Sequence, residues 1–255
     1  MSIERTVKGQ GRLFDPSKVS SQQFGPVASA AEAAQNYMKQ SGMGEWKAPD
    51  SQLQVDHHRG HAQNLAYQKA MKEPEAPGIR DSYESMRQHV NTQYDYMTRP
   101  KEAGGMGFQA EFTDTDPYPN PSDMAKDVAQ GRIRAMKTET TGGHAYFSNE
   151  ENDRFRAVHD VFGHAAVGRG FSRHGEEAAF VAHRQMFPKE AHAALTSETR
   201  GQNSYLNYSG TGEFPEQSQK LIGLPEWASE TTRFKTDTPK SRTGRRKPQQ
   251  GTLDV

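Results

Sequence analysis

At 255 residues the chain can bury a sizeable core, most simply in one domain of roughly 200 residues with extensions. Its 32 basic and 32 acidic residues cancel, so no whole-molecule field draws it to nucleic acid or membranes, and the absence of cysteine excludes disulfides, thiolate ligands and cysteine-held iron–sulfur clusters. Hydrophobic residues make up only 32%, beside 23 Gly and 14 Pro, so part of the chain is expected in loops or extended arms. No run approaches the ~18 apolar residues of a membrane span, and Met1-Ser2-Ile3-Glu4-Arg5 lacks the apolar region of a secretory signal. A soluble cytoplasmic protein is the expectation.

Residues 1–28 carry little periodicity and read as an irregular arm, followed by a mainly helical domain over 29–230. Ser29-Ala30-Ala31-Glu32 has the form of a capping box and opens a short helix through Tyr37 and Met38. Val55, His58, Ala62, Leu65 and Ala66 mark a second helix. Ile79, Tyr83, Met86, Val90, Tyr94 and Met97 mark a longer third, with Pro74, Pro77 and Gly78 between them as the turn of a helical hairpin. Strands are expected at 108–112 and 132–137, separated by a helix that Ser122 caps. Further helices are expected over 149–162, 175–187 and 189 to about 200. From 231 to 255 periodicity is lost, and Arg233, Lys235, Lys240, Arg242, Arg245, Arg246 and Lys247 make a flexible basic tail. The architecture expected is α+β and predominantly helical, with one or two short β-hairpins and a metal site between helices.

That site is read from His159-Asp160-Val161-Phe162-Gly163-His164. In a regular helix, residues five apart diverge by roughly 140°, too far for easy convergence on one ion. A left-handed turn at Gly163 would swing His164 back, while Asp160 holds an imidazole and fixes its tautomer. Two histidines are half a site. A catalytic mononuclear centre usually adds a carboxylate and keeps positions open, and the candidates are Glu176, Glu177, Glu190 and Glu198.

The hexapeptide resembles the iron-binding His-Asp/Glu-x-x-Gly-His motif of the pterin-dependent aromatic amino acid hydroxylases, which hold iron with both histidines and a later glutamate. The resemblance implies a ferrous facial triad of His159, His164 and Glu198, and it spans 159–198 of the 255 residues. The gap to Glu198 is shorter than the family's, which keeps Glu177 as a rival ligand. Ala166 stands where that family typically carries a proline, and no pterin-binding signature is present. The wider segment from Asp116 to Tyr208 is similar to uncharacterised proteins encoded by bacteriophages and some actinobacteria.

The leading expectation is therefore a mononuclear non-haem iron oxygenase, a hydroxylase, acting on a small molecule or a protein side chain. Asp160, Gln202 and Asn203 would position or activate the reactants. His159-Asp160 also resembles the dyad of the His-Asp phosphohydrolases, with His144 as a possible extension, so a zinc- or manganese-dependent hydrolase at the same residues is the second reading. The third is a phage-encoded interaction protein, associated with the virion, that meets protein partners through its N-terminal arm; the basic tail could touch nucleic-acid phosphates weakly. His183 is expected as a packed core residue, and His57 with His61 as structural rather than metal-ligating.

Overall fold

A computed structural model describes residues 23–51, 53–216 and 220–230. The basic tail lies outside the described residues, as does the arm except for residues 23–28. Eleven elements are named here: α1 (Ala28–Gln40), α2 (His57–Lys72), α3 (Ile79–Thr98), β1 (Gln109–Thr113), α4 (Pro121–Ala129), β2 (Arg132–Met136), α5 (Asn149–His159), α6 (Arg173–Arg184), α7 (His192–Thr196), α8 (Gln202–Tyr208) and α9 (Glu226–Ser229). The chain is thus predominantly helical α+β. Among the described residues no helix is long and apolar enough to cross a membrane.

Both expected strands form, but not as a hairpin. β1 and β2 pair in parallel, Gln109 opposite Arg132 through Thr113 opposite Met136. The reason is α4 itself, which carries the chain back to the end at which β1 began, so β2 runs in the same direction. α4 starts at Pro121 behind Asn120, and α1 starts behind Val27 without a side-chain cap, so neither Ser122 nor Ser29 performs the capping expected of it. Nor do α2 and α3 form the expected hairpin: α2 packs on α8, whereas α3 packs between α5 and α7.

α2 turns a different face inward from the one its apolar spacing implied. Gly60, Gln63, Asn64 and Tyr67 are buried, while His58 is exposed and Leu65 is 65% exposed. Polar side chains can be buried when hydrogen-bonded, and Gln63 Oε1 accepts from Ser204 Oγ at 2.9 Å. A Cβ at Gly60 would lie 2.4 Å from the Tyr208 ring, so glycine is what lets α8 approach this face. His57 and His61 both contact that ring, and among the described residues they join no metal-sized group with a carboxylate.

The main core surrounds α3 and α5, with Tyr83, Met86, Phe162, Phe180, Met186 and Leu195 all under 2% exposed. α6 packs across the turn that follows α5. The backbone of residues 24–27 adds a long-range tie there: Phe24 N–H donates to Gly168 O at 3.1 Å and Val27 N–H to Ala165 O at 2.9 Å. Gly168 has φ +69°, and a Cβ on it would meet the Gly25 carbonyl carbon at 2.1 Å, so this crossing requires glycine.

Candidate metal centre

α5 opens on a capping box. Ser148 Oγ accepts from the Glu151 N–H at 3.2 Å, and Glu151 Oε2 accepts from the Ser148 N–H at 2.9 Å. The helix runs regularly to His159 and then widens into a π turn over Asp160–Ala165. Hydrogen bonds of the i→i+5 type return residues five apart toward one face. The His159 and His164 rings accordingly lie 5.1 Å apart, centroid to centroid, at 87°. The left-handed turn expected at Gly163 does not form, for Gly163 has no positive φ. Its glycine serves close approach instead: a Cβ would lie 3.1 Å from Ala179 Cβ on α6 and 3.2 Å from His159 Nδ1.

That approach brings the first turn of α6 to the imidazoles. Glu176 Oε2 lies 3.4 Å from His164 Nε2 and 3.8 Å from His159 Nε2, and the three ligand atoms fall within 4.8 Å of one another. Two donors each ~2.1 Å from one ion at a tetrahedral angle stand ~3.4 Å apart, so these separations suit a shared divalent cation.

The outer hydrogen bonds orient the rings for that task. Gln93 Nε2 donates to Met186 O at 3.0 Å, which turns Gln93 Oε1 toward His183 Nε2, 2.7 Å away. His183 Nε2 therefore carries a proton. Burial drives the pKa of His183 well down and keeps the ring neutral, so its Nδ1 accepts from His159 Nδ1–H at 3.1 Å. His164 Nδ1–H donates to Arg169 O at 3.1 Å. Both Nε2 lone pairs are left facing Glu176, the arrangement in which metal-binding imidazoles are held by their other nitrogen. In the metal-free protein burial opposes charge on these groups, yet the carboxylate raises the His164 pKa and the imidazoles hold Glu176 down at about 2.

Glu198 and Glu177 take other partners. Glu198 sits in a second π turn, Ser197–Gly201, whose helical path continues into α8 rather than ending near residue 200. His144 Nδ1 accepts the N–H groups of Tyr146 and Phe147, each at 3.0 Å, so His144 Nε2 is protonated and donates to Glu198 Oε1 at 3.2 Å. The Tyr83 hydroxyl donates to the same oxygen and Gln202 Nε2 to Oε2 at 2.6 Å. Burial pushes the Glu198 carboxyl up, but His144, Tyr83 and Gln202 hold it below the ordinary value. Glu177 is gripped by Arg200 through two bonds of 2.9 and 2.5 Å, and Glu190 is exposed.

A cavity of about 80 Å³ opens onto His159, His164 and Glu176 and is also lined by Asp160, Arg156, Glu198, Gln202 and Asn203, with Phe155, Phe171 and Phe214 as its apolar wall. A space that size holds several waters or a small polar group. Asp160 is 5% exposed, and its Oδ2 is buried without a hydrogen-bond partner among the described residues. It hydrogen-bonds to neither imidazole; His183 and the Arg169 carbonyl perform the orienting expected of it. Asn203 faces the cavity and holds Asn207 through its carbonyl and side chain.

Glu176 is one of four candidate carboxylates in the sequence, and spacing alone does not set it above Glu177, Glu190 or Glu198. Gln93 and Tyr83 escaped notice as site residues, although a glutamine on the apolar stripe of α3 is itself a sign of a buried polar partner. Set against known proteins, the chain matches no family model, no curated protein and no solved structure, so fold and centre stand on their own geometry.

Proposed function

We propose that the protein is a mononuclear metal-dependent hydrolase whose ion is held by His159, His164 and Glu176. The observation that carries this reading is Asp160: a buried carboxylate with an unpartnered oxygen, lining the cavity beside the ligands. His159, His164 and Glu176 would hold a divalent cation, which when bound would supply an activated water and polarise a carbonyl or phosphoryl oxygen. Asp160 takes the proton of the attacking water, and the same carboxyl can return it to the leaving group. Arg156, fixed by Met136 O at 2.7 Å and Thr141 Oγ1 at 2.9 Å, lines the cavity with a guanidinium that stabilises developing negative charge. Gln202 and Asn203 add amide groups for orientation, and with Arg156 they suit an acyl or phosphoryl substrate.

A second reading, the ferrous oxygenase implied by the motif, is favoured by the donor set itself, since two histidines and one carboxylate with open positions also serve oxygen chemistry. Metal analysis of anaerobically purified protein, together with Asp160→Asn, separates the two. The hydrolase reading expects zinc or manganese at near stoichiometry, retained in Asp160→Asn while turnover falls by roughly 10²–10⁴. Stoichiometric iron, with dioxygen consumption that Asp160→Asn leaves unchanged, would establish the oxygenase instead.

A further inference from the structure

Resting on that reading, we propose that Glu198 is the receptor for a cationic nitrogen of the substrate, a primary ammonium held at its carboxylate while the scissile group faces His159, His164 and Glu176. The first support is a contrast among the buried acids. Glu177 has Arg200, Asp127 has Arg132 and Arg134, and Asp153 has Arg156 at 3.9 Å. Glu198, with a side chain 7% exposed, has no lysine or arginine within ion-pair distance among the described residues, and Arg156 acts on it only from further off. Its donors are a hydroxyl, an amide and an imidazole, and none of them is a lysine or an arginine. Buried charge is stable only when compensated, so where a carboxylate is structural this chain supplies the cation, and at Glu198 it does not.

Stereochemistry and charge agree. Glu198 Oε2 receives one donor, Gln202, and keeps capacity for another. The cavity is lined by the carboxylates of Asp160, Glu176 and Glu198 against the single guanidinium of Arg156, which Asp153 already attends. Phe155, Phe171 and Phe214 offer the alkyl portion of such a substrate an apolar wall.

The test measures binding of n-butylammonium, n-butanol and butyrate to the full-length protein by calorimetry, with metal content determined on the same samples. Wild type is expected to bind n-butylammonium at least tenfold tighter than n-butanol, about 1.4 kcal/mol, and butyrate weakest. Glu198→Gln should bring ammonium and alcohol within about twofold while its metal content is unchanged. Equal affinity of the two probes for wild type overturns the proposal. So does loss of metal in Glu198→Gln, which would make Glu198 a ligand. If that variant fails to fold, the wild-type comparison still decides, and Glu198→Asp, which keeps the charge, should keep the ammonium preference. A wild type that takes up no metal defeats the hydrolase reading alone, because the ammonium probe needs only Glu198.

Discussion

Glu176→Gln removes one charge from the centre and leaves its shape, which makes its effect calculable. The fall of the Glu176 carboxyl from 4.5 to about 2 corresponds to on the order of 3 kcal/mol of favourable interaction with the imidazoles in metal-free protein. Glu176 is depressed, so its contribution is full above about pH 4.5 and is lost as pH falls toward 2. His164 is raised, so the same contribution is full below 6.5 and fades as pH rises through the elevated value. The stability difference between wild type and Glu176→Gln should therefore be greatest between about pH 4.5 and 6.5 and shrink on both sides. Urea denaturation in chelator across pH 3 to 8 measures it. Metal competition on the same variant should show at least ~100-fold weaker binding, since loss of a merely supporting group costs about 10–100-fold. A flat pH profile, or metal that survives Glu176→Gln and disappears in Glu198→Gln, would refute the assignment.

Gly163→Ala places a methyl 3.1 Å from Ala179 Cβ and 3.2 Å from His159 Nδ1, so the usual gain from Gly to Ala in a helix, about 1 kcal/mol, is offset by overpacking of ~1–3 kcal/mol. Thermal unfolding should shift down by a few degrees and metal affinity should drop; a higher Tm with unchanged affinity contradicts the packing described. Gln93→Leu strips the acceptor from His183 Nε2–H, with an expected cost of about 1–3 kcal/mol and metal binding weaker by roughly 10–100-fold. Denaturant titration and chelator competition check both, and a variant with wild-type metal affinity would detach the relay from the centre.

The helices around the site were readable because their signals are local. Ser148 and Glu151 cap α5 in the manner their spacing implies, and the stripe from Ile79 to Met97 is largely the buried face of α3. The π turn was not readable: its extra residue leaves no mark in composition, and Gly163 invited a left-handed turn where its real task is clearance for Ala179. The choice of carboxylate depends on how α6 docks and on which acids are already paired, as Glu177 is by Arg200. Apolar counting also failed on α2, where Gln63 is buried because Ser204, distant in sequence, meets its hydrogen-bonding need.

The relay from His159 through His183 to Gln93 also bears on the order of events in folding. His183 and Gln93 are 90 residues apart in the chain, and the loop between His164 and Glu176 is bonded by Phe24 and Val27, which lead into α1. Closing such loops costs entropy before any contact repays it, and contacts of this separation belong to the slow part of folding. The ligand geometry is therefore completed late, after α3 has docked. On the proposed metal reading an ion would enter a finished pocket rather than template the chain, so chelator present during refolding should leave the folding rate unchanged while lowering the stability of the product.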